Sequence, residues 1–152
     1  MSKRALTWQY IVLFTGIIFL DRITKTLALI LDKEYVINSL VSFDLTFNRG
    51  ITWGMLNSLQ GAGNFIVIAT AFIMCLLAWY SWQQYAAKKI IYGPIMILAG
   101  GCSNLYDRFY WPGVIDFIHV HVKHWYFPAF NIADTSIVIG VLLMLYSFVA
   151  HA

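Results

Sequence analysis

The sequence predicts an all-α membrane protein of four transmembrane helices carrying a small extracytoplasmic β-element, and three observations predict it. Hydrophobic residues make up 61% of the chain and charged residues 11%, with a mean hydropathy of +0.72. Soluble domains carry about 25% charged residues, so a water-facing fold of 152 residues would lack the polar side chains to cover itself. Four segments stay apolar for close to the roughly 20 residues that a bilayer crossing needs. Basic residues gather in the short segments beside them, as the positive-inside rule requires of the cytoplasmic face.

The first helix is expected over about residues 8–31, with Asp21, Arg22 and Lys25 inside it. Lys3 and Arg4 before an apolar run imitate a secretory signal, but no small-residue cleavage site follows, so this is read as a retained helix. The second, over about 64–82, includes FIVIATAFIMCLLAWY without one charge. The third, over about 90–108, is short unless residues 106–109 extend it, and the fourth, over about 132–150, carries only Asp134. One membrane domain, 1–152, is expected. Lys3 and Arg4, with Lys88 and Lys89 between helices two and three, place both termini in the cytoplasm and the links 32–63 and 109–131 outside.

The outer links read as strands. Val and Phe recur among Ser, Asn and Thr over 36–47. Over 114–122 the alternation is cleaner, with Asp116, Ile118, Val120 and Val122 on one face and Phe117, His119 and His121 on the other. A carboxylate sharing an apolar face needs a reason.

Ionisable groups in membrane segments are costly and mark function by default. Asp21 and Lys25, at i, i+4 with the acid first, form a self-neutralising brace or else touch substrate directly. Arg22, displaced around the helix, is expected to snorkel outward. Gly100 and Gly101 admit a neighbouring helix, and Asn104 and Arg108 then share a face, either as a polar cap or as donors to a substrate carbonyl or carboxylate. Asn131 and Asp134 fit a helix cap with an acid at the third helical position. Asp116, a second acid on the same outer side, gives Asp134 another use. Two adjacent carboxylates share one proton, so one can activate water while the other polarises a carbonyl.

Other chemistries are poorly supplied. Net charge is +3, with no basic stripe for nucleic acid. Cys75 and Cys102 lie in apolar runs and read as small buried hydrophobes. His119, His121 and His124 lack an obvious carboxylate or thiolate partner for a metal, so no metal or cofactor is expected.

Five blocks then carry a resemblance: DRITK (21–25), NRGITWGM (48–55), GGCSNLYDR (100–108), VIDFI (114–118) and FNIAD (130–134). A lone D-x-x-x-K is weak, but five blocks in order over nearly the whole chain are specific. The sequence resembles lipoprotein signal peptidase, the signal peptidase II family of bacterial intramembrane aspartyl proteases. The resemblance implies that Asp116 and Asp134 are the catalytic pair. It assigns Asn48, Asn104, Arg108 and Asn131 to substrate binding and site support, and Asp21, Lys25, Gly54 and Gly101 to structural support. It implies four helices, an extracytoplasmic β-element, and a mobile periplasmic segment over the cleft. It also implies a multi-pass enzyme of the bacterial inner membrane, its site near the extracytoplasmic face. Its partners would be membrane lipid and a prolipoprotein cut on the N-terminal side of a diacylglyceryl-modified cysteine; a monomer is expected. Trp53 replaces the family's usual phenylalanine and Ser103 its common glycine, both bearing on specificity.

Two other classes fit the sequence less well. A proton-coupled carrier should show inverted repeats and mid-bilayer acids; a non-enzymatic subunit would leave the outer acid pair unexplained.

Overall fold

The four apolar segments form helices, which satisfy their own backbone groups along their length. A computed structural model describes residues 3–31, 33–50, 62–122 and 125–150. Among these, the helices are α1 (Lys3–Leu29), α2 (Ala62–Ala86), α3 (Tyr92–Tyr110) and α4 (Ile132–Ala150). The strands are β1 (Tyr35–Val36), β2 (Val41–Asn48), β3 (Val114–Val122) and β4 (Trp125–Phe130). Trp53, Gly54 and His124 lie outside the described residues.

Local chemistry sets the helix ends. Pro94 sits in the first turn of α3, where a missing N–H costs nothing. Pro112 and Gly113 follow its last turn, after Trp111 has turned extended while donating to the Asp107 carbonyl at 2.8 Å. At the end of α2, Lys88 N–H bonds the Tyr85 carbonyl and Lys89 N–H the Gln84 carbonyl. This pattern needs a left-handed residue, usually glycine, and here it is Lys88 at φ 61°. Within α1, Thr7, Thr15, Thr24 and Thr26 turn their hydroxyls back onto carbonyls four residues earlier, so none needs water.

By length and composition, Gly63–Ala86 and Ile132–Ala150 are long and apolar enough to cross a bilayer. The charges inside α1 and α3 lower their hydropathy. Phe65, Phe72, Trp79 and Trp82 on α2, with Leu142, Leu145 and Phe148 on α4, face outward, a surface suited to lipid rather than water. Cys75 and Cys102 are also exposed rather than buried. In lipid an outward apolar side chain carries no penalty, so the inside-out rule of soluble proteins misplaces them.

α3 is the central helix. It packs on α1, α2 and, most closely, α4. A Cβ on Gly100 would collide with the Ala133 carbonyl oxygen, and one on Gly93 would meet the Gly140 carbonyl at 2.7 Å. Small residues let these backbones approach, and Ser136 hydroxyl donates across the seam to the Met96 carbonyl at 2.9 Å. Gly101 instead makes room for Met74 of α2. Gly100→Ala should therefore destabilise the protein by about 1–3 kcal/mol, read from the unfolding midpoint in detergent.

The strands form one antiparallel sheet, ordered β1-β2-β3-β4. Ile115 and Phe117 are buried from its centre, together with Ala28 of α1 and flanked by Leu29, Phe43, Phe47 and Ile132. The sheet thus seats on one end of the bundle, with β4 running directly into α4.

Candidate active site

Strand register brings the first two polar residues together. Thr46 lies opposite Asp116 and Asn48 opposite Val114, after a bulge between Phe43 and Thr46. Asn48 is then a diagonal neighbour of Asp116 on one face. Its carbonyl oxygen accepts the Gly50 amide at 2.8 Å, where Gly50 takes φ +73°, so its NH2 must point the other way. It donates to Asp116 Oδ2 at 2.9 Å.

The β4–α4 junction supplies the rest. Asn131 follows strand residue Phe130 and caps α4: its Oδ1 accepts Asp134 N–H at 2.9 Å, and Asp134 Oδ2 accepts Asn131 N–H at 3.2 Å. The predicted capping box is therefore formed. It does not exhaust either residue. Asn131 Nδ2 donates to Asp116 Oδ1 at 2.7 Å, and Asp134 Oδ1 receives Asn104 Nδ2 at 2.7 Å. One asparagine thus touches both carboxylates.

Asn104 is oriented in turn from below. Its Oδ1 accepts Lys25 Nζ at 2.8 Å and Asn131 Nδ2 at 3.2 Å, leaving its own NH2 for Asp134. Lys25, 1% exposed, also lies 2.8 Å from both Asp21 Oδ2 and Asp107 Oδ2. Arg22 completes the cluster, 2.7 Å from Asp107 Oδ1 and 3.1 Å from Asp21 Oδ2, with its guanidinium over the Tyr106 ring. The outward snorkel expected for Arg22 is wrong. Its long side chain curls around α1 because two wholly buried carboxylates need a second cation.

Ser103, expected to bear on specificity, belongs to this cluster. Its hydroxyl donates to Asp21 Oδ2 at 2.6 Å and accepts Arg22 Nε at 3.0 Å. Asp21 Oδ1 also receives the Ala133 amide at 2.9 Å, and Asp107 Oδ2 the Ile115 amide at 3.2 Å. The cluster grips the residue before each of Asp134 and Asp116. The pairing of Asp107 with Arg22 and Lys25 is not legible in the sequence, because these partners lie some 80 positions apart on different helices.

Arg108 is placed differently. Its Nη1 reaches only the Asn104 carbonyl, at 3.4 Å, and it forms no ion pair among the described residues, although it lies in the field of Asp134 and Asp116. A cation near the carboxylates is thus left available.

Asp116, at the start of β3, is 1% exposed. Burial, reinforced by the Asp134 charge and opposed by Asn48, Asn131 and Lys25, pushes its carboxyl up to about 6. The folded state therefore holds this proton more tightly than the unfolded chain, a stabilisation present at low pH and lost as pH rises through about 6. Lowering the pH from about 7 to about 5 should raise the unfolding midpoint of the protein relative to Asp116→Asn, which lacks the group. A gap that stays constant with pH would contradict this.

Of the described histidines, His119 and His121 pair within the sheet rather than at the site. His121 Nε2 pairs with Ser42 Oγ at 2.9 Å and His119 Nε2 with the Asp44 carbonyl at 3.1 Å, within the sheet. Among the described residues no three His, Cys, Asp or Glu side chains are grouped to hold a metal.

A family model described as Signal peptidase (SPase) II matches residues 13–150. The chain belongs to the signal peptidase II family. That match takes in the two carboxylates, the three asparagines and the buried cluster alike. A lipoprotein signal peptidase of Aquifex aeolicus is 33% identical over 147 residues, covering 95% of this chain and 88% of the relative. One of Thermodesulfovibrio yellowstonii is 37% identical over 133 residues, covering 86% and 87%. A solved bacterial membrane enzyme shares 26% identity at a TM-score of 0.76, covering 92% of each chain. A helical signal peptidase with a small antiparallel sheet fits all of these, as does an aspartic protease mechanism.

Proposed function

We propose that Asp116 and Asp134 are the catalytic pair with which this signal peptidase removes signal peptides from lipoprotein precursors, cutting before a diacylglyceryl-modified cysteine. The observation that carries it is Asn131, which donates to Asp116 and shares a reciprocal bond pair with Asp134. Asp116, which keeps its proton up to about 6, supplies a proton to the scissile carbonyl oxygen. Asp134 takes the proton of an attacking water, which adds to the carbonyl carbon. The intermediate collapses as the C–N bond breaks, and the amine leaves with a proton from the pair. Arg108, free of carboxylate bonds, and Asn48 steady the developing oxyanion and the substrate backbone. Asn104 and Asn131 hold the pair in register, with Asp21, Lys25, Gly101 and Gly54 in structural support.

All four helices cross the bacterial inner membrane as one domain, with both termini cytoplasmic and the links 32–63 and 109–131 outside. The polar breaks in α1 and α3 are tolerated because they face one another rather than lipid. The sheet end is then extracytoplasmic, where water can reach the carboxylates while acyl chains enter from the bilayer. A mobile periplasmic segment over the cleft, implied by the family resemblance, would shield the reaction. A monomer suffices, since all these groups come from one chain.

Asn131→Ala separates positioning from capping. Cleavage of a lipidated precursor in liposomes should fall about 100-fold or more, while stability falls by about 1 kcal/mol. If only stability falls, Asn131 is a cap and the proposed register is wrong.

A further inference from the structure

At the end of the bundle opposite the carboxylates, α2 and α4 both flank α3 and barely touch each other. A cleft of about 760 Å³ opens between them. Lys88, Lys89, Gln84, Tyr80 and the first turn of α3 line one part, and Leu143, Met144 and Phe148 of α4 the other. Its lining is mainly apolar with a polar, basic part, and α4 offers outward-facing Tyr146 and Phe148 beside it.

Four features give this cleft a sign. All seven acidic residues of the chain fall within 21–44 or 107–134, and the described ones lie toward the sheet end, whereas Lys3, Arg4, Lys88 and Lys89 lie at the other end. Neither Lys88 nor Lys89 forms an ion pair among the described residues. Lys88 occupies the left-handed position that glycine would take without strain, so a cation is kept there against backbone preference. The first turn of α3 opens into the same cleft, and its cap residue, Ile91, offers its amides no side-chain acceptor. Amides at a helix start attract anions.

We infer that this cleft binds one anionic phospholipid, its phosphate between Lys88, Lys89 and the start of α3, its acyl chains along α2 and α4. Basic clefts between membrane helices recognise such headgroups through charge while apolar walls hold the tails. The site is remote from the carboxylates.

The test uses the full chain, purified in detergent and titrated with phosphatidylglycerol, phosphatidylcholine, inorganic phosphate or glycerophosphoglycerol, with the unfolding midpoint as readout. Phosphatidylglycerol should raise the midpoint and saturate near one lipid per protein by native mass spectrometry. Phosphatidylcholine and the two soluble phosphates should not. Lys88→Gly, which suits the helix end and should fold, is expected to weaken this binding about fivefold, and Lys88→Gly with Lys89→Gln roughly thirtyfold. Leu143→Trp, which fills the cleft without touching charge, should abolish saturation. Equal stabilisation by phosphatidylcholine would overturn the inference, because the lysines would then serve only topology and the helix end. Saturation by the soluble phosphates, or binding unchanged in the double variant or in Leu143→Trp, would overturn it as well.

Discussion

Asp116→Asn or Asp134→Asn should insert and fold normally yet lose cleavage of a lipidated precursor by about 10³-fold or more, assayed after reconstitution in liposomes. The amide is nearly isosteric but can neither take a proton from water nor hold the one the pair shares. The two variants differ in their side effects. In Asp116→Asn an NH2 must confront either Asn48 Nδ2 or Asn131 Nδ2, since both carboxylate oxygens accept from donors. Asn48 cannot simply turn over, because its oxygen already holds Gly50 N–H. In Asp134→Asn one oxygen remains for the Asn131 amide or for Asn104, not for both. Full activity in either variant would end the assignment of a pair.

Lys25→Met is expected to cause the largest loss of stability. It leaves Asp21 and Asp107, both 0% exposed, with Arg22 as their remaining cation. Removing one partner of a buried ion pair costs about 3–5 kcal/mol, because the other charge stays desolvated. The unfolding midpoint in detergent should fall accordingly, and activity should fall with it, since Asn104 loses the donor that fixes its orientation. Lys25→Met combined with Asp21→Asn should recover part of the loss, giving a coupling energy of opposite sign to the single effects. Strict additivity would mean that Lys25 and Asp21 act independently, contrary to their 2.8 Å contact.

What could be read in advance follows the range of each interaction. Asn131 and Asp134 are three residues apart, so the capping box was visible in FNIAD. The alternation over 114–122 gave β3 because a strand's period is local. Asn48 meeting Asp116 is different: it depends on a register that includes a bulge between Phe43 and Thr46, which no spacing announces. The helix-one pair was legible at i, i+4, but the sharing of Lys25 between Asp21 and Asp107 was not, since it requires α1 and α3 to be side by side. Arg22 failed for a related reason. Helical phase locates a Cα, whereas a guanidinium on a long side chain can reach a quarter of the way around. Cys75 and Cys102 were misplaced by a rule written for water.

The buried cluster of α1 and α3 has an electrical consequence. Asp21, Arg22, Lys25 and Asp107 carry two charges of each sign, with each cation within ion-pair distance of both acids. A transmembrane voltage acts on net charge, about 2.3 kcal/mol per unit charge per 100 mV. On this group it has nothing to pull. The net force on the brace beneath the carboxylates is therefore close to zero whether the cell is energised or run down.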